Sequence, residues 1–353
     1  MNGDSRLPVQ VLSGFLGSGK TTLLKRWLQG QVLSDVALLV NEFGEVGIDH
    51  LLLNEVAPDT VLLPGGCVCC QIRGELKQAL LDLWERRERG ELPPFSQVIL
   101  ETTGLADPAP ILSTLLHDRQ LQFHFKQGAL VTLVDAEHGL SEGQQHPEWL
   151  AQVTAADRLL ISKRDRVSAT QAEALADRLC QLNPLAELLP AGAELADLFR
   201  LSYTHGSASQ RFRWLGPAPA VAAARAVAKS GDVSAGGHPQ LPHLQHPLTE
   251  TCVITLQDKI NWPAFAVWLS MLLHCHGASI LRMKGILRVS ESQTPVAIHG
   301  VQHSLHPPVH LNDWPGELQQ SQLVFILRGV SASRLKQAFL RFQQPFLTGD
   351  TAP

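Results

Sequence analysis

At 353 residues the chain exceeds the span of one ordinary domain, so two domains, each with its own core, are expected. Hydrophobic residues at 44% and charged residues at 18% place it among globular proteins and exclude disorder over its whole length. A net charge of −4 without a large basic block argues against affinity built on nucleic-acid phosphates, and no apolar run reaches the roughly 20 residues of a membrane helix. The opening MNGDSRLPVQVLSGFLG lacks a charged segment followed by an apolar run and cleavage site, so a cytoplasmic protein is expected. Six cysteines, three of them within four positions, then suggest metal or redox chemistry; a secreted disulfide framework would spread them along the chain.

In chain order the first half alternates short apolar runs with helical patterns. VQVL (9–12) precedes the glycine-rich GFLGSGKT and the helix TTLLKRWLQ; VALLV (36–40) and VLLP (61–64) precede a helix beginning near Gly74. QVILE (97–101), ALVTLVD (129–135) and RLLIS (158–162) follow, then the helix SATQAEALADRLCQL. Near-continuous apolar strands between helices imply an α/β fold: a doubly wound, mostly parallel sheet, with ligands at the carboxyl ends of its strands. That domain is expected over residues 1–205. Gly, Pro, Ala, Ser and His then dominate, so residues 206–248 read as a flexible His-containing linker. TCVITL (251–256), the helix WPAFAVWLSMLLHC, SILRMKGILRVS, PVAIHG, QHSLH, QLVFILRG and the helix SRLKQAFLRF predict a smaller α+β domain over 249–349.

GFLGSGKT, Gly14 to Thr21, fits G-x-x-x-x-G-K-[ST] between a strand and a helix, so the doubly wound sheet is expected to be of the P-loop NTPase kind. Gly14, Gly17 and Gly19 let backbone N–H groups turn inward around a β-phosphate, with Ser18 and Thr22 completing the loop. Lys20 would hold the β and γ oxygens, and Thr21 would offer its hydroxyl to Mg²⁺. Glu101 ends a strand with Gly104 three residues on, the pattern of a Mg²⁺-side acid and a γ-phosphate-sensing glycine; Asp135, closing ALVTLVD, competes for the first role. ISKRD (161–165) stands where guanine-reading proteins carry Asn-Lys-x-Asp. The Asp165 carboxylate would accept from guanine N1–H and the 2-amino group, and the Lys163 stem would pack on the base. Ser162 replaces the Asn, so GTP is favoured and ATP stays open.

Cys67, Cys69 and Cys70 lie after GlyGly and before a helix, a setting that lowers thiol pKa values and gathers sulfurs. Thiolates favour Zn²⁺ or Cu(I), and three of them leave a tetrahedral ion one vacancy, as a delivery site needs. Buried apolar cysteines or a C-x-x-C redox pair are the alternatives. Glu42, Glu45 and Asp49 lie between the phosphate loop and the cysteines and read as Mg²⁺ ligands, water-orienting groups, soft-metal ligands or solvated loop charges. HPQLPHLQH, with His238, His243 and His246, could collect Zn²⁺ or Ni²⁺ weakly. His274 and His276 read as part of a packed helix end, and His299, His303, His306 and His310 suggest no site.

With GFLGSGKTT, NEFGEVGID, GGCVCCQIRGEL and ETTGLADP in this order, and LRMKGIL and IHGVQHSLH later, the chain resembles the CobW-type P-loop GTPases. These metal-trafficking GTPases include zinc chaperones and the cobalamin-biosynthesis CobW proteins. The resemblance implies GTP hydrolysis coupled to binding a transition metal, commonly zinc, and handing it to a client metalloprotein. It implies GTP, Mg²⁺ and Zn²⁺ as cofactors, Cys67, Cys69 and Cys70 as metal ligands, and Lys20 and Glu101 as catalytic residues; from the loop reading, Glu42 joins Thr21 as an expected metal ligand. It also assigns Lys163 and Asp165 to guanine. No nucleic-acid or membrane partner is expected, and homo-oligomerisation is left open. Cobalt or nickel insertion fits the same residues and differs only in ion and client; a regulatory switch with a structural zinc is the rival reading, and the guanine-like ISKRD argues against a small-molecule kinase.

Overall fold

A computed structural model of the chain describes residues 5–29, 35–41, 61–63, 71–189, 192–193, 195–199, 249–314 and 319–347. Among these, the first sheet has seven strands: β1 (Leu7–Gly14), β2 (Val36–Asn41), β3 (Val61–Leu63), β4 (Gln97–Glu101), β5 (Phe125–Asp135), β6 (Arg158–Ser162) and β7 (Glu187–Leu189). They lie in the order β3-β2-β4-β1-β5-β6-β7, and every pair is parallel. The crossovers carry helices α1 (Lys20–Gln29), α2 (Gln71–Glu88), α3 (Pro108–His117), α4 (Arg119–His124), α5 (Gly139–Gln145), α6 (Pro147–Ala155) and α7 (Ala169–Leu182), and the short α8 (Leu195–Leu198) follows β7.

Strand alternation explains why both faces need cover. Val9, Val11, Val98 and Leu100 join one core with Leu80 of α2 and Leu112 of α3, while Leu12 and Ile99 join another with Leu24 and Trp27 of α1. Helix starts follow local chemistry. Asp107 caps α3 with Pro108 in its first turn, and Ser168 with Gln171 forms a capping box on α7. The doubly wound parallel sheet expected from the alternation is therefore present, with the phosphate-loop motif at the end of β1. β5 begins at Phe125, earlier than the apolar run suggests, because the side chain of Gln10 accepts from the Ala129 N–H at a register shift in its pairing with β1. α2 begins at Gln71, ahead of Gly74. The 6- to 10-residue helices α3 to α6 are too short to stand out as periodic patterns.

The second sheet is antiparallel: β8 (Thr249–Leu256), β9 (Ile280–Leu287), β10 (Val296–Val301), β11 (Ser304–Leu305), β12 (Val309–His310) and β13 (Ser321–Arg328). Its order is β11-β10-β9-β13-β8, with β12 beside β10. Helices α9 (Trp262–His276) and α10 (Ala332–Leu347) supply Phe265, Trp268 and Phe339 to its own core. The contacts toward the first domain combine apolar packing, with Leu185 against Leu281, Val324 and Ile326, and a buried polar cluster. Arg282, 1% exposed, donates to the Ala155 carbonyl at the end of α6 and to the Asp157 carboxylate. Lys284 Nζ lies 3.4 Å from Asp157 and donates to the Leu185 carbonyl, and the Leu130 N–H also donates to Asp157. Burial alone would raise the Asp157 carboxyl, but Arg282, Lys284 and that N–H hold it well below the usual carboxylate range. Burial, aided by Arg282 and opposed by Asp157, brings Lys284 down to about 8.

His299 and His306, which the sequence left without a role, lie in contact near this cluster, with ring centroids 3.7 Å apart and the rings tilted by 42°. Burial first, and then His306 and Arg282, keep the His299 imidazole well below its ordinary pKa; burial and then Arg282 bring His306 to about 3. The exposed His274, Cys275 and His276 end α9 without forming part of a metal-ligand cluster among the described residues.

Removing Arg282 leaves Asp157 with less than its full complement, so Arg282→Met should cost about 3 kcal/mol in urea denaturation, with Asp157→Leu in the same chain recovering part of it. A cost within error would mean that the cluster is solvated. Below pH 6.5 unfolded histidines take up protons that the folded pair refuses, so stability should fall with acidification through the window from 6.5 towards 3. Denaturation at pH 7.5 and 5.5 should show a slope on the order of 1 kcal/mol per pH unit per ring, flatter in His299→Gln/His306→Gln. Identical slopes in the two proteins would contradict it.

Candidate functional site

The loop after β1 turns through positive φ at Gly14 (145°), Gly17 (72°) and Gly19 (94°) before α1 starts at Lys20. At Gly14 a Cβ would lie 2.5 Å from the Leu133 carbonyl and 2.6 Å from Ser18 Oγ. Ser18 is 1% exposed, and its hydroxyl has no partner among the described residues, a polar atom suited to a ligand. Lys20 Nζ donates to the Gly14 and Phe15 carbonyls at 2.8 and 3.2 Å. Burial lowers its pKa, against the pull of Glu101 and Glu142.

Parallel pairing sets Leu12 of β1 opposite Glu101 of β4, so the phosphate loop and the acid emerge side by side. Thr21 Oγ1 donates to Glu101 Oε1 at 2.9 Å, and Glu101 is 3% exposed. A hydroxyl and a carboxylate in contact form a hard-oxygen donor set that fits Mg²⁺. Asp135, the competing acid, is instead engaged by Lys163 Nζ at 2.6 Å and by the Glu137 N–H at 2.8 Å. Burial alone would raise its carboxyl, but Lys163 and the Glu137 N–H hold it below the ordinary value. Asp135, Glu137 and His138 have ligand atoms within 4.8 Å of one another, with Glu137 and His138 exposed. Lys163 already neutralises the acid at their centre.

The segment after β4 folds onto the phosphate loop. The Thr102 N–H donates to the Leu12 carbonyl at 2.9 Å, and a Cβ on Gly104 would lie 2.8 Å from the Leu16 N and Cα. Gln152 of α6, 0% exposed, donates to the carbonyls of Gly104 and Ala106 at 2.9 and 3.0 Å. At the end of β6, Ser162 Oγ donates 2.7 Å to the Ser18 carbonyl, tying that strand to the phosphate loop. Lys163 takes a left-handed φ of 54°, and Asp165 lies in the 3-10 turn Arg164–Arg166. A cavity of about 1150 Å³, lined by Gly19, Thr22, Arg26, Ser162, Lys163 and Asp165 among others, opens between the loop and this turn. It is large enough for a nucleotide.

Glu42, Glu45, Asp49, Cys67, Cys69, Cys70, His238, His243 and His246 lie outside the described residues. The structure thus brings together the phosphate loop, Glu101, Gly104 and the Ser162–Asp165 turn. Sequence reasoning missed Gln152: one amide in a short helix carries no pattern.

Residues 8–190 match the family model described as the CobW/HypB/UreG nucleotide-binding domain, and residues 249–343 match the cobalamin synthesis protein cobW C-terminal domain. The chain belongs to the CobW/HypB/UreG family. This CobW-family protein is 30% identical over 341 residues to the zinc chaperone YjiA of Escherichia coli, covering 94% of this chain and 98% of that protein. It is 31% identical over 227 residues to the zinc chaperone CobW of Pseudomonas aeruginosa, covering 56% of this chain and 57% of that one. The crystal structure of Zn(II)-bound YjiA GTPase from E. coli shares the fold with a TM-score of 0.69 at 24% identity, over 96% of this chain and 99% of that one.

The close approach at Gly104 predicts that Gly104→Ala costs about 1–3 kcal/mol of stability and weakens nucleotide binding about tenfold. Thermal melts and nucleotide titration test this; wild-type affinity with an unchanged melting temperature would show that the approach relaxes freely.

Proposed function

We propose that this GTPase of the CobW family is a metallochaperone that holds zinc on Cys67, Cys69 and Cys70 and passes it to a client metalloprotein as GTP is hydrolysed. Support comes above all from likeness, over nearly the whole chain, to a protein named a zinc chaperone. The site's own chemistry agrees with the nucleotide part of the reading. Backbone N–H groups of Gly14, Gly17, Ser18, Gly19 and Thr22 cradle the phosphates, and Lys20 moves from its two carbonyl contacts to the β and γ oxygens. Thr21 and Glu101 would hold Mg²⁺, directly or through water, and Glu42 is a further candidate ligand. When bound, that ion neutralises charge on the phosphate oxygens. Water attacks the γ-phosphorus, the bond to the β–γ bridging oxygen breaks, and GDP and phosphate leave.

Asp165 reads the guanine edge and the Lys163 stem packs on the base. Ser162, in place of an Asn, binds the Ser18 carbonyl, so it can brace the base-reading turn against the phosphate loop. Residues 1–205 are then the GTPase unit, 206–248 a His-containing connection and 249–349 the second unit. A cytoplasmic location suits a carrier of this kind. Among the described residues no helix is long and apolar enough to cross a membrane.

Zinc titrated into the protein with a GTP analogue, with GDP and with neither should bind tightest with the analogue. Replacing Cys69 and Cys70 with Ala should cost at least ~100-fold in zinc affinity while GTP affinity stays within about twofold. Zinc affinity indifferent to nucleotide would favour a regulatory switch with a structural metal. Unchanged affinity in the variant would remove the cysteines from the site.

A further inference from the structure

The segment Glu101–Asp107 carries both the buried acid beside Thr21 and the glycine against Leu16, and its far end is held by the other domain. Asp107 uses its two carboxylate oxygens separately. Oδ1 accepts from the Ala109 N–H to cap α3, and Oδ2 accepts from Nε2 of Gln302 at 3.1 Å. Gln302 sits at the tip of the β10–β11 hairpin with φ 50°, a left-handed conformation that a residue with a side chain adopts at a cost. The tip is held there by several contacts. The Gln302 N–H donates to the Ile280 carbonyl at 3.0 Å, His303 Nδ1 lies 2.9 Å from the Leu273 carbonyl, and the His303 ring lies over Gly277. One residue earlier, Val301 is 1% exposed and belongs to the first domain's core, in the cluster that α2 and α3 build.

A strained residue braced on three sides, with its amide delivered to an acid in another domain, is the pattern of a positioning contact. We propose that Gln302 is a positioning residue for GTP hydrolysis: its amide on Asp107, together with Gln152 on Gly104 and Ala106, sets the segment Glu101–Asp107 against the phosphate loop. The C-terminal domain thereby contributes to turnover while touching neither nucleotide nor metal. By linkage, a displacement of this segment during the nucleotide cycle acts back on the hairpin. The inference rests on the GTPase reading and not on the zinc site, so nucleotide-independent zinc binding would leave it intact.

Full-length protein carrying Gln302→Gly, which keeps the left-handed backbone without strain, tests the contact, and Gln302→Glu places a carboxylate against Asp107. GTP kcat should fall about tenfold in the first, the scale of one lost hydrogen bond, and further in the second. KM for GTP and affinity for GDP should stay within about twofold, as for an interaction made in the transition state. Gln302→Glu combined with Asp107→Asn restores a donor facing an acceptor and keeps the α3 cap, so kcat should recover to within about twofold of wild type. An unchanged kcat in Gln302→Glu, a loss matched by an equal loss of GDP affinity or a lower melting temperature, or no recovery in the swapped pair would overturn the assignment.

Discussion

The parallel register of β1 and β4 is the constraint on which the site depends. With Leu12 opposite Glu101, the two strands end together, and the chain leaving one becomes the phosphate loop while the chain leaving the other brings its acid to Thr21. A carboxylate that is 3% exposed is costly unless its oxygens are engaged. The Thr21 hydroxyl engages one of them. Slipping either strand by one residue would turn Glu101 to the opposite face, away from Thr21.

Helix α6 links this site to the rest of the molecule. Gln152 reaches the segment beside the phosphate loop, and three residues later the Ala155 carbonyl receives Arg282 from the second sheet. The cluster of Asp157, Arg282 and Lys284 contributes little net stability relative to an apolar contact, because all three groups lose water. What it gives is a fixed docking. An oily interface tolerates sliding, whereas a buried carboxylate with three donors is satisfied in one placement. That placement brings the β10–β11 hairpin to α3 and Gln302 to Asp107.

The phosphate loop was legible because its chemistry is local: eight consecutive residues supply the turn, the lysine and the hydroxyl. The Ser162–Asp165 turn was legible for the same reason, and so was the α/β alternation, which follows from strands covered on both faces. The choice between Glu101 and Asp135 was a weighing of neighbours in sequence, and only contact distances show Thr21 on the first and Lys163 on the second. Gln152, Gln302 and the His299–His306 ring pair carried no signal. Each acts through a partner 30 or more residues away, or 7 for the histidines, one on β10 and the other just after β11.

By itself the sequence determined the fold class, the phosphate loop and the types of residue available for a metal, since periodicity, backbone freedom at glycine and ligand softness are properties of short stretches. Tertiary structure alone decided which acid meets Thr21, which side chains hold the segment after β4 and how the second domain is keyed to it. Those are matters of strand register and of groups that lose water together, and no window of sequence contains both partners.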